Sequence, residues 1–375
     1  VADQISDVGV ERALHGYRKR GSRPSAEDQL VFLRLLQRVL NEGEFTATYK
    51  FALLQAFLDM SIESRVADDA KLPITYRQIA ARFVEYYWNH TDPYPIDMGQ
   101  DSVLFQSSGR QAAVLSQIGE VRRRGPRSLA QFRRESREYE SLLARVAKTV
   151  REQPVRYMQN LNGERVDFLF ELAPDGGGIR LLPGVAWCLQ EFHDLIQDQL
   201  RSRWVEHVRR ISSNAGLIGN HRDLEVFLFG QQRTPLARVR DALLDIEGDR
   251  CFYCSRQMPT GKVEVDHFIP WSRYPRDRGH NFVLAHAACN NRKRDALASA
   301  PYLGRWIDRL ETIGSEITAS LGGSVLCEPE GSRKVAAWAY GSEISAGGRF
   351  WDVCLKGDAQ FVRSSEELVA VVGRL

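Results

Sequence analysis

Three runs between Cys251 and Lys293 decide how this chain is read: C-F-Y-C at Cys251–Cys254, V-D-H-F-I-P at Val265–Pro270, and H-N-F-V-L-A-H-A-A-C-N-N-R-K at His280–Lys293. They separate into two chemical sets. Cys251 and Cys254 make a C-x-x-C turn, and His286 and Cys289 make an H-x-x-C pair that begins thirty-two residues after Cys254. Soft thiolates and a borderline imidazole in two short-range pairs suit tetrahedral zinc. Such an ion staples a small module that has little core of its own. Three of the six cysteines fall in this window. Cys188, Cys327 and Cys354 stand alone and read as ordinary core thiols.

The second set, Asp266, His267, Asn281 and Asn290, is interleaved with the first, so folding around the zinc also gathers the polar residues. Val263 and Val265 alternate with polar neighbours, which predicts a short strand delivering Asp266 and His267. Phe282, Val283 and Leu284 predict a second strand after a turn at Gly279, and from about His286 the chain can run as a helix. A hairpin followed by a helix is the expected unit.

These residues resemble the HNH, or ββα-metal, endonuclease family, in which a histidine follows an acidic residue, an asparagine stands mid-motif, and a final histidine or asparagine lies beside a zinc cysteine. The resemblance covers roughly residues 248–298. His267 takes the first place, Asn281 follows fourteen residues later and Asn290 twenty-three residues later, so the letters are H-N-N instead of H-N-H. His286 stands where many zinc-bearing members have a cysteine.

Hydrolysing a phosphodiester needs a base for water, a cation for the leaving oxygen, and groups that fix both. His267 is the candidate base. Asp266 and the side-chain oxygen of Asn290 are hard ligands suited to one Mg2+ or Mn2+ ion. Asn281 is expected to pin its loop and to orient the imidazole through a backbone hydrogen bond. Arg292 and Lys293, on the next turn, can neutralise phosphate, although a solvated helix face is the plainer reading. The alternative to a nuclease is a catalytically silent zinc-knuckle protein that binds nucleic acid or acts as a scaffold. Against it stands the joint presence of Asp266, His267 and Asn290, which a scaffold does not need.

With 375 residues, 43% hydrophobic and 26% charged, the chain exceeds one such module and can bury an ordinary core. A net charge of +3 makes any basic surface local. No apolar run approaches a membrane span and the first residues lack a signal-peptide pattern, so a soluble, cytoplasmic protein is expected. Clustered cysteines fit a reducing compartment.

The region before the module reads as helical. Ser25 and Asp28 signal a helix start ahead of L-V-F-L-R-L-L-Q-R-V-L, a second helix is predicted from about Thr46 to Met60, and Thr75 with Gln78 forms a capping-box pattern before the stripe Ile79, Phe83, Tyr86, Tyr87, Trp88. Arg122, Arg123, Arg124, Arg127 and further basic residues up to Arg151 suggest a phosphate track, or a solvated face neutralised by Glu135, Glu138 and Glu140. Strands are predicted over Val166–Leu172 and Ile179–Leu182, and one long helix over Val185–Ile211. Arg233, Arg238 and Arg240 lie on a helix led by Pro235, placed to guide a phosphate backbone. After Ala300 comes a helix with Trp306, Ile307, Leu310 and Ile313.

The expected fold is therefore mainly α with a small α+β module. A helical regulatory or DNA-positioning region occupies 1–225 with a hairpin near 166–182, the HNH module with its zinc knuckle occupies 226–300, and a mixed extension occupies 301–375. The resemblance implies a metal-dependent endonuclease acting on DNA. One base and one catalytic metal imply nicking by a monomer, and a large companion region suggests bacterial antiviral defence or restriction with protein partners of such a system.

Overall fold

The computed structural model describes residues 23–42, 46–64, 70–94, 102–125, 128–218, 224–230, 236–353 and 359–375. They form two compact units. One takes the described residues up to 125 and from 135 to 230; the other takes 128–134 and those from 236 onward. Arg127, Arg233, Pro235 and Cys354 lie outside the described residues. No helix among those described is long and apolar enough to cross a membrane.

In the first unit, α1 (Ala26–Glu42) starts at the expected cap. The Ser25 hydroxyl accepts the Asp28 N–H at 3.2 Å, and the Asp28 carboxylate accepts the Ser25 N–H at 3.1 Å. Helix α2 (Tyr49–Ile62) is buried along its whole length, which is why its sequence carries no amphipathic stripe. Strand β1 (Leu72–Thr75) enters α3 (Tyr76–Tyr87) through the capping box, with Gln78 N–H bonded to Thr75 Oγ1 at 3.2 Å and Thr75 N–H to Gln78 Oε1 at 2.8 Å. Phe83, Tyr86, Tyr87 and Trp88 are core. Helices α4 (Ala113–Arg122) and α5 (Ser136–Val150) follow.

Strands β2 (Phe170–Leu172) and β3 (Gly178–Leu181) pair antiparallel as the turn signals imply, and β3 also pairs with β1, giving the order β1-β3-β2. Glycine is required at 178, where an added Cβ would lie 2.2 Å from the Ile74 carbonyl oxygen. The one helix expected over 185–211 is two, α6 (Val185–Glu191) and α7 (His193–Arg210), because Phe192 leaves helical geometry at φ −101°, ψ 23°. The apolar residues on either side then bury separately, Cys188 and Leu189 from α6, Ile196, Leu200 and Trp204 from α7.

Part of the basic run is engaged in packing and ion pairs. Arg122 belongs to the packing at the end of α4: its guanidinium lies 5.4 Å from the Trp88 ring centroid, donates to Trp88 O at 3.0 Å and to Thr91 Oγ1 at 2.7 Å, and pairs with Asp92 at 2.6 Å. Arg124 and Arg145 share the Glu120 carboxylate at 2.6 and 2.9 Å, and Arg77 pairs with Glu140. Arg123 is exposed.

The second unit comprises α8 (Leu236–Glu247), β4 (Val263–His267), β5 (Phe282–His286), α9 (Ala287–Lys293), α10 (Ala300–Leu321), α11 (Pro329–Ser345), β6 (Arg349–Val353), β7 (Ala359–Arg363) and α12 (Glu366–Val372), with a short helix at Leu129–Arg134. β4 pairs with β5 and β6 with β7, both antiparallel. Residues after 300, set apart in the sequence reading as an extension, share one core with the hairpin. Phe268 stacks on Trp306 with centroids 5.1 Å apart at 10°, Tyr253 meets Trp351 edge-on at 5.0 Å, and Trp306 Nε1 donates to His280 O at 3.0 Å. A ββα unit this small has too little interior of its own, and these indoles supply it.

Candidate active site and metal centre

The C-x-x-C turn is held by its own backbone and by the hairpin. Ser255 N–H donates to Cys251 O and Cys251 N–H to Arg256 O, both at 2.9 Å, while Phe252 N–H donates to Leu284 O on β5 at 2.8 Å. Val263 faces His286 across the hairpin, so one end of β5 delivers the imidazole and the start of α9 delivers Cys289. The ligand atoms of Cys251, Cys254, His286 and Cys289 all lie within 4.8 Å of one another, with Cys254 Sγ 3.3 Å from His286 Nδ1.

Three sulfurs and one imidazole at this spacing fit zinc, whose Zn–S bonds of about 2.3 Å place neighbouring ligand atoms roughly 3.5–4 Å apart. His286 Nε2 lies 3.2 Å from the Gln257 carbonyl oxygen. A carbonyl only accepts, so Nε2 carries the hydrogen and Nδ1 turns its lone pair to the sulfurs, the usual outer support of a metal-binding histidine. A hydrogen bond with Cys289, and then the N–H groups of Cys254, His286 and Tyr253, hold the Cys251 thiol well below its ordinary range against the opposing effect of burial. That favours the thiolate, the form that binds metal. Cys188 is fully buried, as a core thiol should be, whereas Cys327 is only part-buried, its thiol pushed up to about 11 by desolvation.

At the other end of the hairpin, Asp266 faces Val283 and His267 faces Phe282. Asp266 Oδ2 accepts from the Tyr253 hydroxyl at 2.5 Å and lies 3.1 Å from Lys293 Nζ. Burial, and then the Asp266 carboxylate, raise Tyr253 well above the ordinary phenol value, so it stays a donor. Lys293, expected among the phosphate contacts, is inward: its side chain is 0% exposed and its ammonium also donates to His267 O at 2.9 Å. A buried ammonium requires a paired acid, and position 293 turns to the inner face of α9 while Arg292 beside it is exposed. Arg238 is likewise exposed, on α8.

Asn281 clamps the loop after β4, accepting Ile269 N–H at 2.7 Å and donating to Ile269 O at 2.9 Å, while its own carbonyl accepts Phe268 N–H at 2.7 Å. The imidazole bond that was expected through Asn281 comes from elsewhere. His267 Nε2 lies 2.9 Å from Asp277 Oδ1, and the ring is flanked by Phe282 at 4.9 Å and Trp271 at 5.3 Å. Asn290 Nδ2 donates to Glu264 Oε2 at 2.8 Å, which turns its side-chain oxygen away from Glu264. Sequence reasoning missed Asp277, Glu264 and Tyr253. The available signals were an acid enclosed by arginines in R-D-R at Arg276–Arg278, and an acid two residues before Asp266, hence on the same strand face.

A family model described as HNH endonuclease matches residues 251–299, and one described as a domain of unknown function (DUF8808) matches residues 30–226. Neither the curated proteins nor the solved structures provide a match. The first match, with the Cys3His cluster inside it, makes this stretch an HNH nuclease segment of the zinc-knuckle kind. Because the second match spans more than half of the 375 residues, the chain belongs to the DUF8808 family and carries an HNH segment after that domain.

Proposed function

We propose that the protein is a metal-dependent endonuclease that hydrolyses DNA phosphodiester bonds, with His267 as general base. What supports this reading is the hairpin and helix of the HNH segment: β4 ends in Asp266 and the largely buried His267, and α9 carries Asn290, tied to β4 through Glu264. Asp266 Oδ1 has no hydrogen bond among the described residues, and the Asn290 amide donates to Glu264, so each keeps an oxygen for a hard cation. Mg2+ or Mn2+ held there would stabilise charge on the attacked phosphate and its leaving oxygen. His267 takes the proton from water, Asn281 holds the loop that carries the imidazole, and exposed Arg292 lies on the adjoining helix for phosphate.

The runner-up, a silent zinc-knuckle binding protein or scaffold, draws on one observation: the Lys293 ammonium already faces Asp266 at 3.1 Å. Purified protein on supercoiled plasmid, with Mg2+, Mn2+ or chelator, separates the two. Metal-dependent cleavage supports the nuclease; intact plasmid under every metal, with DNA still bound, supports the silent protein. The biological setting we infer is bacterial antiviral defence or restriction in the cytoplasm with protein partners of such a system, on the ground that a domain larger than the nuclease accompanies it. Exposed Arg123, Arg124 and Arg238 are the surface candidates for a phosphate backbone, ahead of Arg122, which is packed on Trp88 and paired with Asp92.

A further inference from the structure

Asp277 follows His267 by ten residues and lies in the loop that leads to the turn at Gly279–Asn281. Its side chain is 4% exposed, against 15% for the imidazole that it meets at 2.9 Å. We propose that Asp277 is the positioning residue of the nuclease site, and that its bond to Nε2 assigns Nδ1 of His267 as the atom that takes the proton from water. The proposal rests on the reading of His267 as general base.

A carboxylate oxygen only accepts, so in this pair Nε2 carries the hydrogen, and a neutral ring then has its lone pair on Nδ1. Among the described residues no hydrogen bond engages Nδ1. Phe282 and Trp271, packed at 4.9 and 5.3 Å, restrict rotation of the ring, so three neighbours fix both its plane and its tautomer. In the reaction, water gives its proton to Nδ1, its oxygen bonds to phosphorus, the bond from phosphorus to the leaving sugar oxygen breaks, and that oxygen is protonated by solvent water. The ring becomes an imidazolium whose Nε2–H still points at the Asp277 carboxylate. An acid in this position selects the tautomer and stabilises the cation without taking the proton, the logic by which a buried aspartate serves a histidine base in acyl-transfer triads.

The test is a cycle of Asp277→Asn, His267→Ala and the double variant, measured as single-turnover plasmid cleavage at saturating protein beside DNA affinity, zinc content and melting temperature. Asn keeps the size of Asp while allowing an N–H to face Nε2, so Asp277→Asn should lower the rate about 10²–10⁴-fold with affinity and zinc unchanged. Acting through His267, it should cause no further loss in the His267→Ala background. A wild-type rate in Asp277→Asn with an inactive His267→Ala overturns the positioning role alone; a wild-type rate in His267→Ala overturns the base reading itself. A readout free of activity is the ¹⁵N spectrum of the histidines, with the His267 signal identified by its loss in His267→Gln. Hydrogen on Nε2 in the wild type supports the proposal, and hydrogen on Nδ1 overturns it.

Discussion

Replacing His267 by alanine should reduce metal-dependent plasmid cleavage about 10²–10⁴-fold, with DNA affinity nearly unchanged, because the imidazole stands at a strand end and its side chain makes one hydrogen bond among the described residues; wild-type cleavage would remove it from the base role. Lys293→Met should act differently. Stripping the ammonium from a buried pair leaves Asp266 uncompensated and should cost about 3–5 kcal/mol in urea unfolding, and an unchanged midpoint would show that the pair contributes nothing. His90 sets a pH dependence in the first unit. Fully buried, with Nε2 2.8 Å from Leu228 O, it is lowered by burial from 6.5 to about 4. The unfolded chain takes up this proton near 6.5 and the fold only near 4, so stability falls as pH drops through that window, by up to about 3 kcal/mol. The melting temperature should decline more steeply between pH 7 and 5 in the wild type than in His90→Gln, and parallel slopes would exclude His90 as the cause. The Cys251, Cys254, His286 and Cys289 cluster was legible because its meaning lies in short spacings. Asp277 and Glu264 were not, since nothing local tells an acid which side chain it will meet after a loop closes. Lys293 was misread because a lysine is ordinarily solvated, and only its place on the inner face of α9 reverses that.

Among the elements, the hairpin and the helix after it followed directly from alternation at Val263 and Val265 and from the two ligand pairs that flank it in sequence. The capping box at Thr75 and the cap at Ser25 were readable for the same reason: each is a bond within four residues. The break at Phe192 was not, since the apolar spacing runs on through it and only separate packing of α6 and α7 divides the helix. For the knuckle the expectation is quantitative. Cys251→Ser or Cys289→Ser should release zinc and unfold the second unit, because structural zinc supplies about 10–16 kcal/mol of apparent binding free energy that is also folding energy. Elemental analysis should find one zinc per wild-type chain and none in these variants; a folded, active, zinc-free wild type would make the four residues packing groups.

At the scale of the molecule, composition announced a large helical body and a small mixed one, but not that Arg122 would pair with Asp92 and that Arg124 and Arg145 would share Glu120, a matter of which helices pack together. On the proposed reading one HNH segment has one base and one catalytic cation, so a single engagement should cut one strand. Nicked circles should accumulate before linear plasmid in limited digestion, and direct conversion to linear product would demand two coordinated sites. The indoles of Trp306 and Trp351, which pack on Phe268 and Tyr253, bear on how such a nuclease can be inherited. Recombination that moved only the stretch outlined by the HNH match would deliver a hairpin with its inner face bare. The portable unit is longer and includes α10 and β6, so a lineage that exchanges its companion domain must carry the residues on both sides of the motif together.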